Sequence, residues 1–287
     1  KTITLENKEV VAWDRLIVTT GSRSFVLPLK GFERENCFTL WSLQDAKELS
    51  QSIREKNLKT CAIIGGGLLG LEAAWQIHQA GVQVKILEFA PILLQRQLDS
   101  RSSDLLQKYI ESLGIKVITS ADSAEVIGEG ETGPVQGIIL KDGRQINCDC
   151  VLMSVGVMAN TELAADAGLE VGRRIKVDER MQTSFPGIYA AGDVCEVNDG
   201  FWFGLWAISM AQGKVAGANA AEADKVFVKE TPPYIVNTMN TRIVSQGVIP
   251  QEEGEGFTFA ISEDPENYSY KKLVYKDDKL TGFILLG

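Results

Sequence analysis

One histidine, His78, stands in 287 residues, and no two of the five cysteines are spaced as C-x-x-C or C-x-x-x-x-C. The first scarcity leaves no histidine-based metal set, and the second excludes a dithiol redox centre of that kind. Cys37, Cys61, Cys148, Cys150 and Cys195 form an odd, scattered set, unlike a secreted disulfide framework, so a reducing cytoplasm is expected. Cys148 and Cys150 lie two apart in a strand pattern and share a face. No second pair follows at zinc-site spacing, so they read as ordinary cysteines and no metal site is expected. No apolar run approaches a membrane span, and nothing in the chain resembles a signal peptide. Positive charge is not in excess: a net charge of −9 argues against nucleic-acid or membrane-surface binding. What is abundant is apolar: 45% hydrophobic residues suffice for packed cores, and the length suits two or three domains.

The most informative stretch runs Cys61-Ala62-Ile63-Ile64-Gly65-Gly66-Gly67-Leu68-Leu69-Gly70-Leu71-Glu72. It reads as a buried strand, a glycine turn and the opening of a helix, the arrangement that holds a dinucleotide pyrophosphate. Gly65 allows the tight turn, Gly67 lets backbone approach the phosphates, and Gly70 lets the helix lie close to the strand. Leu68 and Leu69 carry the first helical N–H groups. After Gly81 a second apolar strand, Val82 to Leu87, ends in Glu88, placed to accept from a ribose hydroxyl. A 2′-phosphate beside Glu88 would meet like charge, and Phe89-Ala90-Pro91 supply no cation, so NAD(H) is favoured over NADP(H).

Elsewhere the pattern predicts strands over Thr2–Leu5 and Val10–Thr20, then a helix capped by Ser42 and running through Lys56. A helix over Ser102–Leu113 stops at Gly114, and Ile115–Thr119 reads as a parallel strand. A β-ribbon follows, with Lys141-Asp142-Gly143-Arg144 as its turn and a last strand continuing through Val155. Leu163–Ala167 and a small-residue stretch, Leu205–Ala221, read as helices. Ile188-Tyr189-Ala190-Ala191-Gly192-Asp193 is a buried strand ending in an acid. From Lys225 the composition changes to a separate α+β or mostly-β module with an Asp277-Asp278 turn.

Three motifs therefore stand in order: Thr19-Thr20-Gly21-Ser22-Arg23, the Gly65–Gly70 turn, and Tyr189-Ala190-Ala191-Gly192-Asp193. Together they resemble the two-dinucleotide-binding-domain flavoproteins of the pyridine nucleotide–disulfide oxidoreductase superfamily. Trp13 to Ser22 resembles the family's strand into an A-T-G-S turn, with Thr19 in place of alanine. Val155-Gly156-Val157-Met158-Ala159-Asn160-Thr161-Glu162-Leu163 resembles its G-x-x-P-N-T-E-L segment, with Ala159 in place of proline. Leu93 to Asp99 and Phe203 to Gly213 look most like the branch of rubredoxin reductases, nitrite reductases and NADH oxidases.

The resemblance implies an α/β fold in which a Rossmann-like NAD domain (57–157) is inserted in a discontinuous FAD domain (1–56 and 158–224), followed by a small α+β module (225–287). It implies FAD and NAD(H) as cofactors. Thr20, Gly21, Gly192 and Asp193 would lie on the flavin, Asp193 accepting from the ribityl chain, with Gly156 on the nicotinamide side. Glu72 would either bond the nicotinamide carboxamide or complement the helix dipole. The family's first FAD motif, a further G-x-G-x-x-G upstream, is not in the chain, and Lys1 begins inside a strand pattern; a fragment with an incomplete FAD domain is expected. The implied activity is transfer of hydride from NADH to flavin, then of electrons to a small rubredoxin-like protein or to oxygen. No side chain is expected to act as a catalytic acid or base. Arg23 reads as solvated, His78 as a helix-surface residue, and Trp206 as filling a domain seam or lying near the flavin. A reading from another class keeps the NAD site without the flavin, as a non-catalytic sensor or interaction module.

Overall fold

The computed structural model describes every residue except Glu253 and Glu255. The chain divides into two units, residues 1–23 with 157–230 and residues 24–156 with 231–287.

The larger unit is built on a five-stranded sheet in the order Cys37–Thr39, Cys150–Met153, Thr60–Ile64, Gln83–Leu87, Lys116–Ile118. Every neighbouring pair is parallel. Thr60–Ile64 and Cys150–Met153 are almost continuously apolar and buried, as parallel strands covered on both faces must be. Helices Leu43–Glu55, Leu68–Gln79 and Ser100–Ser112 accompany the sheet. Ser42 and Asp45 form a capping box at the first. Asp99 caps the third, and Gly114 takes up φ +89° just past its end.

The expected strand from the Asp142-Gly143 turn through Val155 is in fact two. Gln145–Asn147 stays in an antiparallel ribbon with Val135–Leu140 and Ser123–Gly128, while Cys150–Met153 enters the parallel sheet. The break has a cause distant in sequence. The Asp149 carboxylate accepts from the N–H groups of Lys59 and Thr60, both at 2.8 Å, and so pins the chain to the start of the glycine-turn strand.

Residues 231–287 form a five-stranded antiparallel sheet in the order Tyr234–Thr238, Thr241–Gly247, Lys279–Leu286, Ser269–Lys276, Phe257–Asp264. One face, with Val236, Ile243, Tyr270, Ile284 and Leu286, joins the core that contains Leu71, Leu105 and Ile110. Asp277 and Asp278 both adopt positive φ, the signature of a type I′ hairpin.

The smaller unit pairs Leu16–Val18 with Ile188–Ala190 and Ile175–Val177 with Cys195–Val197, both in parallel. It also holds the hairpin of Thr2–Thr4 and Val10–Ala12 and the helices Glu162–Asp166 and Trp206–Ala220. The chain first passes between the units at Arg23/Ser24, and Cys37–Thr39 pairs along Val151–Met153 in the sheet of the larger unit. Among the described residues no helix is long and apolar enough to cross a membrane.

Candidate functional site

The glycine turn sits where the parallel sheet reverses its winding, at the carboxyl ends of Thr60–Ile64 and Cys150–Met153, the position at which such sheets bind ligands. Gly65 has φ +112°, and a Cβ there would lie 2.1 Å from the Ser154 carbonyl oxygen. A Cβ on Gly70 would lie 2.1 Å from the Gly65 carbonyl oxygen, so helix and strand touch through this glycine. Gly67 differs: its Cβ would meet nothing within 4 Å. Gly67 is the N-cap of Leu68–Gln79, and no side chain caps that helix. The first N–H groups, at Leu68 and Leu69, thus face open space with the positive end of the helix dipole, which suits a pyrophosphate.

Glu88 closes the other side. Its Oε2 accepts from the Gly66 N–H at 2.6 Å and its Oε1 from the Ala90 N–H at 2.7 Å. The carboxylate is held rigidly beside the turn, with lone pairs remaining for ribose hydroxyls. Gly156, at φ +111°, follows the switch-point strand Cys150–Met153. Glu72 is exposed and is the fifth residue of its helix, past the first turn, which removes the dipole role. It lines a cleft of about 670 Å³ with Trp75, Gln76 and the Met239-Asn240 turn.

In the smaller unit, the strands that lead to Thr20-Gly21 and to Gly192-Asp193 are parallel neighbours, so both turns emerge at the same sheet end. Asp193 Oδ2 accepts from the Ser22 hydroxyl at 2.9 Å. The Gly192 N–H donates to Oε1 of the buried Gln212 at 2.9 Å. Asn160 ties the first turn to the P-N-T-E-L-like segment. Its N–H donates to the Gly21 carbonyl at 2.9 Å, its Nδ2 to the Thr20 carbonyl at 2.8 Å, and its carbonyl accepts from the Thr20 hydroxyl at 2.6 Å.

Three side chains depart from expectation. Arg23 is paired rather than solvated, donating to Asn160 Oδ1 and to Glu162 Oε1. Glu162 is accordingly held below the usual carboxylate range by the Arg23 hydrogen bond. Trp206 is 81% exposed at the start of its helix. His78 is half-buried and stacks on Trp75 at 5.8 Å. Sequence reading passed over Ser22, Asn160 and Gln212 as site residues. Each had a signal, since Ser22, Asn160 and Gln212 stand inside the family-like segments Thr19–Arg23, Val155–Leu163 and Phe203–Gly213.

The cysteines are all free. Burial pushes the thiols of Cys37, Cys148 and Cys195 up to about 12. Cys61 is raised as well, first by its hydrogen bond with Cys150 and then by burial. A thiolate is the reactive form, so none of these four should react at neutral pH. Titration of the native protein with a disulfide reagent is expected to modify none of the four until denaturant is added. Rapid native modification at any of them would contradict this.

A family model described as pyridine nucleotide-disulphide oxidoreductase matches residues 1–223, and one described as the rubredoxin NAD+ reductase C-terminal domain matches residues 232–287. The chain is 33% identical over 295 residues to nitrite reductase [NAD(P)H] of Bacillus subtilis, covering 100% of this chain and 35% of that protein. It is 30% identical over 287 residues to NADH-rubredoxin oxidoreductase of Clostridium acetobutylicum, covering 100% and 69%. The crystal structure of a ferredoxin reductase from Rhodopseudomonas palustris superposes with a TM-score of 0.87 at 25% identity, covering 99% of this chain and 70% of that one. The chain spans 35–50% of the length of the first three curated relatives.

Proposed function

The chain belongs to the pyridine nucleotide-disulphide oxidoreductase family, and we propose that it serves an FAD-dependent NADH oxidoreductase that passes electrons to a small rubredoxin-like protein or to oxygen. The observation that carries the reading is the uncapped helix at Gly67, open to a pyrophosphate, with Glu88 fixed beside it. Gly65, Gly67, Leu68, Leu69, Gly70 and Glu88 would hold the dinucleotide. Gly156 and Glu72 would lie on its nicotinamide side.

For the flavin, the fit rests on the two turns at one sheet end. Gly21 has φ +67° and open space where a Cβ would be, and Asp193 keeps Oδ1 for a ribityl hydroxyl while Ser22 holds Oδ2. A flavin bound there would take a hydride equivalent from NADH and release electrons to the acceptor. Thr20 and Asn160 would fix the turn, and Gln212 would orient the Gly192 N–H. The N-terminus of Trp206–Ala220 would favour negative charge nearby. No side chain need move a proton, so the contribution of the protein is alignment and exclusion of water. Within the expected division into an inserted NAD domain and a discontinuous FAD domain, the residues present supply the second FAD motif. The five free thiols fit a cytoplasmic setting.

The test uses the full-length protein: anaerobic NADH should bleach its visible flavin absorbance. A flavin spectrum that NADH leaves unchanged would sink the proposal, and a full-length protein with no flavin spectrum would restore the flavin-free sensor. NADH should also be preferred over NADPH by at least about tenfold in kcat/KM, because the pinned Glu88 repels a 2′-phosphate. Glu88→Ala should shrink that preference. Equal use of both coenzymes by the unaltered protein would remove Glu88 as the selector.

A further inference from the structure

We infer that the C-terminal sheet braces the nucleotide site and sets its affinity through residues 93–101, an inference that rests on the nucleotide reading of the glycine turn. The first sign is Gly66, at a position that G-x-G-x-x-G leaves open to any residue. A Cβ on Gly66 would lie 2.5 Å from Leu93 Cδ2 and 3.1 Å from the Cβ and Oε2 of Glu88. Leu93 is fully buried and fills the space that a side chain at position 66 would need. It lies against the residue whose N–H donates to Glu88 Oε2 at 2.6 Å. Leucine, glycine turn and ribose acid therefore form one interlock.

The segment that carries Leu93 is held in a conformation it would not keep alone. Leu94 is a buried leucine at φ +51°, in the left-handed region that bulky L-residues avoid. Its carbonyl accepts from the N–H groups of Gln97 and Leu98, at 2.7 and 2.9 Å, in a tight turn that leads to Asp99. Strain of this kind persists only where the surroundings over-determine it. Here the C-terminal sheet and the chain beside it do so. Asp99 Oδ2 accepts from the Tyr270 hydroxyl and from the Lys272 ammonium, both at 2.9 Å. The Ser100 N–H and hydroxyl donate to Gln251 Oε1 at 2.9 and 3.0 Å, and Arg101 pairs with both oxygens of Glu263 at 2.7 and 3.2 Å. Leu93, Leu94 and Leu98 share one core with Tyr270, Ile284 and Leu286. The buried ties at Asp99 do most of the holding, since exposed ion pairs contribute little. With residues 93–101 loosened, Leu93 can leave Gly66 and the Glu88 carboxylate loses its fixed place. The ligand must then order groups that the brace otherwise holds ready, and affinity falls.

The test is calorimetric titration with ADP-ribose, joined to amide hydrogen exchange at Gly66 in the free protein. Asp99→Ser with Lys272→Met and Tyr270→Phe removes both buried ties, keeps a helix cap and leaves no charge without a partner. It should weaken ADP-ribose at least about fivefold, and the Gly66 N–H should exchange faster. Leu93→Ala should act in the same direction. Leu105→Ala is the control: it also empties a buried leucine site of this core, and its affinity should stay within about twofold. If the triple variant and Leu93→Ala bind ADP-ribose as tightly as the unaltered chain, with Gly66 equally protected, the brace is overturned and the nucleotide site survives. Equal weakening in Leu105→Ala and Leu93→Ala would also overturn it, as a general loss of packing. If the unaltered chain binds no ADP-ribose, the nucleotide reading fails and this inference falls with it.

Discussion

Lys272→Met is expected to destabilise the larger unit by about 3–5 kcal/mol, the usual cost of stripping one partner from a buried ion pair. Lys272 is 1% exposed and Asp99 4%. The Lys272 ammonium donates to Asp99 Oδ2 and to the Pro250 carbonyl, both at 2.9 Å, and lies 3.7 Å from the Phe259 ring centre. Asp99 also accepts from the Tyr270 hydroxyl at 2.9 Å, and from the Ser102 N–H and hydroxyl at 2.9 and 2.6 Å. It is thus the N-cap of Ser100–Ser112 and the anchor of the C-terminal sheet at once. Methionine fills the space of lysine but leaves a carboxylate buried without its counter-charge. Urea denaturation at neutral pH measures the loss, and a change within 1 kcal/mol would mean that water reaches Asp99.

The pH dependence gives a second check. Burial alone would raise the Asp99 carboxyl, but the Ser102 hydrogen bonds and then Lys272 outweigh it, and the group lies below its ordinary value. A depressed carboxyl stabilises the fold above its unfolded value, near 3.9, and that stability is lost as pH falls through the lower folded value. In Lys272→Met the ammonium is gone and burial acts with less opposition, so Asp99 protonates at higher pH. The deficit of the variant should be largest at neutral pH and should narrow as the solution is acidified toward pH ~4. Asp99→Ser with Lys272→Met keeps a cap and removes the charge, and should recover most of the loss.

Such a pair could not be read from the sequence. In Ser269-Tyr270-Lys271-Lys272, alternation puts Tyr270 and Lys272 on one face, yet a lysine on the inner face of a sheet reads as an error until its partner, 173 residues away, is known. The same limit explains Asp149, which breaks a strand by bonding to Lys59 and Thr60. Local signals survived because their causes are local. Ser42 capped the helix as read, Gly114 ended another, and the small-residue helix begins at Trp206, next to the expected Leu205. Among the expected site residues, Gly65, Gly67 and Gly70 could be picked out because they fall in one short run, although only Gly70 meets a steric demand nearby: the atom that excludes a Cβ at Gly65 belongs to Ser154, and Gly67 meets none. Asn160 and Gln212 act across long separations, through geometry that no spacing rule encodes.

Those three glycines make the last and most discriminating prediction, because the same substitution should fail sterically at two of them and through the ligand at the third. Gly65→Ala places a Cβ in backbone contact with Ser154 and forces an L-residue into φ +112°. Strain and overpacking together should cost about 2–6 kcal/mol, so the variant should lose stability and nucleotide binding together. Gly70→Ala meets the Gly65 carbonyl and should behave likewise, though its φ carries no such strain. Gly67→Ala is the opposite case. Its φ is −78°, its Cβ meets nothing, and only the mild preference for glycine over alanine at an N-cap opposes it. It should melt within a few degrees of the unaltered chain, at a cost below about 1 kcal/mol. Its methyl group would nevertheless stand where the pyrophosphate must approach the helix N–H groups, and ADP-ribose affinity should fall at least tenfold. Thermal denaturation and calorimetry on the three variants separate the two outcomes. If Gly67→Ala kept its nucleotide affinity, the open space over that residue would not be the pyrophosphate site, however well the turn around it fits the pattern.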